Sequence, residues 1–92
     1  MADVVRINAT GVVKTESQCP FFIEGATVRG DNLTVLEIYD GVDANGKLVA
    51  VLSSPTSGAD HRVIVNYGCT EGCYATLTET GAGFAVGLIY QR

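Results

Sequence analysis

Residues 66–77 read NYGCTEGCYATL and place two of the three cysteines, Cys69 and Cys73, four positions apart. Cysteine can ligate a metal, cycle as a redox thiol, close a disulfide, or pack as a small apolar side chain. Zinc sites usually draw their ligands from closely spaced Cys or His pairs. Here Cys19, His61, Cys69 and Cys73 make four by arithmetic, but the spacing is C-x3-C and no second pair exists. A thioredoxin-type centre needs C-x-x-C at the start of a helix, and neither condition is met. Cys73 shares a strand face with Ala75 and Leu77 and reads as a small buried residue. Cys69 lies between Gly68 and Gly72 on an expected exposed turn, where packing gives it less reason to exist. From there it can bridge to Cys73, closing a loop worth about 2 kcal/mol of chain entropy, or to another chain. Three is an odd number, so at least one thiol stays free or pairs between chains. Cys69, Cys73 and Cys19 are therefore the candidate disulfide residues, within or between chains, beside the reading in which all three stay reduced.

Nucleophilic catalysis needs a nucleophile, a base and a group that orients the base. His61 is the only histidine and ends a polar loop, and nothing beside it resembles an activated nucleophile. Asp31, Glu37, Asp40, Asp43, Asp60, Glu71 and Glu79 fall mainly on turns and strand ends and read as solvated charge. The stretch YDGVDANG imitates an acidic calcium loop through Asp40, Asp43 and Asn45 but lacks the closing glutamate. No phosphate-cradling glycine loop is present. The expectation is a protein without enzyme activity, metal or cofactor.

The elements that must position these residues read as strands. Eleven glycines punctuate the 92 residues, β-branched residues dominate between them, and no window keeps a helical apolar stripe. Val4–Lys14 reads as one strand bent at Gly11. Cys19-Pro20 leads into a strand with Phe21 and Ile23 on one face and Phe22 and Glu24 on the other. In LTVLEIYDG, Leu33, Val35, Glu37 and Tyr39 alternate with Thr34, Leu36, Ile38 and Asp40. With the Asn45-Gly46 turn and KLVAVLSS, residues 33–53 form a hairpin with a five-to-seven-residue loop. After the polar SSPTSGAD come HRVIVNY, CYATLTE and GFAVGLIYQR, with Gly81-Ala82-Gly83 as the last turn. In the closing strand the small Ala85 and Gly87 mark a close approach to another layer. About seven strands at this spacing predict one all-β domain over residues 1–92, an antiparallel sandwich of jelly-roll or immunoglobulin-like type or a small barrel.

Hydrophobic residues are 47% of the chain and charged residues 17%, which suits a folded domain with a bland surface. Net charge is −4 and no two basic residues are adjacent, which argues against a nucleic-acid partner. The apolar runs are too short to span a membrane. The start Met1-Ala-Asp-Val-Val-Arg lacks the pattern of a signal peptide, so the chain is expected to be made and kept in a cytoplasm, where the sequons at Asn8 and Asn32 carry no meaning.

Residues 33–92 resemble small virion-associated proteins of tailed bacteriophages. The marks are Tyr39-Asp40 closing a strand, Gly46 in the turn, the apolar Leu48–Leu52, Gly72-Cys73-Tyr74 opening a strand, and Ile89-Tyr90-x-Arg92 at the end. The chain departs from the pattern at Cys73, where a larger apolar residue is expected, and in carrying Cys69. The resemblance implies a small β-sandwich that decorates or cements a capsid, or sits in a neck, collar or fibre, with no enzyme activity. It implies a homo-oligomer, with a trimer favoured, against a major capsid protein or other virion proteins. Phe21, Phe22 and Tyr67 are the candidate subunit-interface residues. The protein would be made in the host bacterial cytoplasm and end in the virion. There, after lysis into an oxidising medium, neighbouring subunits could crosslink through sulfur. A carbohydrate- or receptor-binding sandwich is the alternative.

Overall fold

The computed structural model describes residues 3–30, 33–54, 61–79 and 85–91. They form strands β1 (Asp3–Ile7), β2 (Gly11–Lys14), β3 (Phe21–Gly30), β4 (Thr34–Asp40), β5 (Lys47–Ser54), β6 (His61–Cys69), β7 (Cys73–Glu79) and β8 (Ala85–Gln91), with a 3-10 turn at Glu16–Gln18. Two antiparallel four-stranded sheets, ordered β1-β8-β3-β6 and β2-β7-β4-β5, pack face to face as a β-sandwich. They are called the first and second sheet below. Only β4 and β5 are both consecutive and paired; their six-residue loop is closed by Gly46 N–H donating to Asp43 O at 3.2 Å. Each of the other six connections carries the chain across to the opposite sheet.

The count of eight strands corrects the reading of Val4–Lys14 as one bent strand. β1 pairs with β8 in the first sheet, and β2 pairs with β7 in the second. Asn8–Thr10 is the crossing, pinned where Leu77 N–H donates to Thr10 Oγ1 at 2.9 Å. The Gly81–Gly83 turn and the Pro55–Asp60 part of the polar loop lie outside the described residues.

Alternation decides what is inside. Thr34, Leu36, Ile38 and Asp40 of β4 point inward, as do Phe21 and Ile23 of β3, while Phe22 is half-buried and Glu24 exposed. Phe21, Ile23, Leu36, Ile38, Leu52 and Ile89 are the largest side chains in the common core. Close approach of the layers is sharpest at Gly87, where an added Cβ would lie 2.9 Å from Leu36 Cδ2. Bulges break four ladders; at the one opposite Glu24, β6 gains a residue and Asn66 takes φ 47°, in the left-handed region.

Candidate functional site

The three cysteines gather at one end of the sandwich. Cys69 is the last residue of β6, opposite Phe21 in the first sheet, and Cys73 is the first residue of β7 in the second. The turn Thr70–Gly72 carries the chain from one sheet to the other, so both side chains enter the core from opposite layers. Both are fully buried. This corrects the expectation of an exposed turn position for Cys69. Val63, Val65, Tyr67 and Cys69 alternate on the inner side of β6, so period two wins over the local glycine context. Cys19 packs half-buried against the same cluster, just before the cis Cys19–Pro20 bond, with its S–H donating to Thr15 O at 3.6 Å. All three thiols are free.

Asp40 braces this end. It is 5% exposed, so it is not the solvated strand-end charge that sequence alone suggests. Its Oδ1 accepts the backbone N–H of Glu71 at 2.9 Å and of Thr70 at 3.1 Å, and its Oδ2 accepts the Tyr67 hydroxyl at 3.1 Å. One carboxylate from β4 therefore fixes the turn between the two cysteines and the strand leading into it. Charge-assisted bonds of this kind are the stronger ones, and a buried carboxylate without them would be costly. The same turn needs glycine at 72: φ is +135°, and a Cβ there would stand 2.7 Å from Gly41 O. Lys47 Nζ lies 5.4 Å from the Tyr67 ring centroid, and Lys14 Nζ lies 5.4 Å from that of Phe21.

The electrostatics follow from these contacts. Cys69 and Cys73 interact directly; donation from Cys73 to Cys69, with burial second, pushes the Cys73 thiol up and leaves Cys69 the lower of the two. Burial raises the Cys19 thiol, and the Gly72 backbone N–H partly offsets this. The hydrogen bond to Asp40, then burial, raises the Tyr67 phenol.

Chemically, this arrangement holds a turn and shields two thiols. Among the described residues no three His, Cys, Asp or Glu groups converge as metal ligands. His61 begins β6 and Cys69 ends it, so their backbones stand about 26 Å apart at the rise of an extended strand; they form no Cys-His pair. Of the expected interface residues, Phe21 is spent in the chain's own core, Tyr67 is half-buried with its hydroxyl on Asp40, and Phe22 is half-buried on the outer side of the first sheet. Asp40 is the residue that sequence reasoning missed, although its parity with Leu36 and Ile38 pointed inward. No family model, curated protein or solved structure matches the chain.

Proposed function

We propose that this chain is a structural component of a tailed-phage particle, a decoration or cement protein that binds the capsid surface and stabilises it. The observation that carries this reading is the sequence pattern of residues 33–92 and where its marks fall. Tyr39-Asp40 closes β4, Leu48–Leu52 lies within β5, Gly72-Cys73-Tyr74 opens β7, and Ile89-Tyr90 lies within β8. The marks are therefore structural: Asp40 clamps the turn that Gly72 makes possible, and Tyr39 and Tyr74 stand side by side with centroids 6.3 Å apart. A neck, collar or fibre position, and a major capsid protein as the partner, belong to the same proposal.

A sugar- or receptor-binding sandwich is the competing reading, favoured by that outward tyrosine pair. The test is mass spectrometry of purified particles from the source virus, with copy number measured against the major capsid protein. Presence in many copies supports the proposal. Absence from particles overturns it, and glycan-array binding would then favour the competitor.

A further inference from the structure

The outer faces of the two sheets carry matching rows. On the second sheet, strand register lines up Val12, Tyr74, Tyr39 and Leu48 across all four strands. Val12 and Leu48 are 51% and 48% exposed. The next row holds Thr76, Glu37 and Val51, with Thr76 Oγ1 donating to Glu37 Oε1 at 3.0 Å. Glu37 is the only charge on the outward positions of β4 and β7. On the first sheet, register lines up Val4, Tyr90, Gly25 and Ile64, and Ile64 is 80% exposed. The next row is Arg6, Leu88, Thr27 and Arg62, with an arginine at each edge.

Three features make these faces complementary. Gly87, paired with Val28, sits against Leu36 of the other sheet, and the two apolar rows lie three positions from that level, Gly25 from Val28 and Tyr39 from Leu36, so translating one copy onto the next sets row on row. The faces also carry opposite charge, Glu37 on one against Arg6 and Arg62 on the other, the Arg62 guanidinium lying 4.6 Å over the Tyr90 ring. Relief differs between the faces. Beside the exposed Ile64 lies a recess lined by Glu24, Arg62 and Asn66, with the buried Gly25 and the half-buried Val63 as its floor. The opposite face presents the Tyr39–Tyr74 ridge. The sandwich measures 35 × 28 × 16 Å, so the outline of each face is on the order of 1,000 Å², room for the ≈800 Å² that each partner contributes to a stable interface. Two like second-sheet faces would set Glu37 against Glu37, which disfavours the self-complementary pairing.

We propose that copies of this chain stack front to back, the Tyr39–Tyr74 ridge of one seating in the Gly25–Ile64 recess of the next. The contact is heterologous, and because the two faces look in opposite directions it builds an open column rather than a closed trimer. It does not rest on the virion reading, since the pure protein tests it.

The experiment is sedimentation velocity on the purified chain from micromolar to millimolar concentration. The variants are Leu48→Lys, which blocks one face, and Ile64→Lys, which blocks the other; circular dichroism checks that both fold. The parent chain is expected to form species beyond the dimer that grow with concentration and recede with salt. Each variant alone stays monomeric, while an equimolar mixture forms a dimer through the two intact faces and stops there. Glu37→Gln weakens stacking roughly fivefold. A parent chain that stays monomeric throughout overturns the proposal. So does a single variant that still self-associates, or a mixture that does not.

Discussion

Replacing Asp40 with alanine removes an acceptor for three donors at once: Thr70 N–H, Glu71 N–H and the Tyr67 hydroxyl. A hydrogen bond to a charged group contributes about 1.5–3 kcal/mol, but three bonds to one carboxylate do not add. Thr70 and Glu71 are themselves exposed, so water recovers part of what their N–H groups lose. The expected cost is about 3 kcal/mol, a large part of the roughly 5–14 kcal/mol that a domain of this length holds. Asp40→Asn keeps an acceptor for the two N–H groups and gives up the charge, so about 1–2 kcal/mol is expected. Urea unfolding followed by far-UV circular dichroism reads both, with the alanine midpoint falling by roughly 1–3 M at ordinary m-values. An alanine variant within about 1 kcal/mol of the parent would show that the turn holds without its clamp, and the account of this end of the sandwich would be wrong.

Gly72→Ala should cost more than about 2 kcal/mol, since it combines a left-handed φ with a clash against backbone that cannot move aside; the same urea titration reads it. Thiol labelling of the native protein should modify Cys19 first and leave Cys69 and Cys73 untouched until the chain unfolds; equal rates at all three would refute their burial. If the chain is refolded in a glutathione redox buffer, two electrons and two protons pass from Cys69 and Cys73 to oxidised glutathione. The resulting bridge ties the sheets and adds about 2 kcal/mol, and peptide mapping that finds both thiols reduced would sink the idea. Tyr67 and Tyr39 have raised phenol pKa values, the first through its bond to Asp40 and the second through burial and Glu37. Their contribution is complete below the unfolded tyrosine pKa near 10 and is lost as pH rises through the folded values. Stability should therefore decline above about pH 10, and less steeply in Tyr67→Phe; identical alkaline limbs would refute this.

What sequence made legible was parity. In LTVLEIYD the alternation sorts β4 correctly, and the small Gly87 marks where Leu36 presses in. What escaped it was partner choice and context. Val4–Lys14 has strand composition on both sides of Asn8–Thr10, and only the identity of the pairing strands, β8 for one half and β7 for the other, shows two strands in two sheets. Cys69 looked like a turn residue because its neighbours are glycines. Asp40 looked like surface charge because carboxylates at strand ends usually are. In both cases period two carried the correct answer and residue-type expectation overrode it.

Asp40 and Glu37 show how one strand serves two purposes. They lie three positions apart on β4, so one faces the core and the other faces outward. Asp40 has its oxygens engaged by donors from its own chain, which exhausts most of what a carboxylate can accept. Glu37 accepts from Thr76 and Tyr39 while still facing outward, with capacity left for a donor from another molecule. Loss of Asp40 should therefore lower stability and leave the concentration dependence of stacking unchanged wherever the variant stays folded. Glu37→Gln should do the reverse, weakening stacking with the unfolding free energy held within about 0.5 kcal/mol of the parent, because glutamine keeps an acceptor for the Thr76 hydroxyl. Measuring both variants by both methods separates the two roles. If Glu37→Gln lowers stability as much as Asp40→Asn does, the outer face is part of the fold's own support, and the surplus that would make it an interface does not exist.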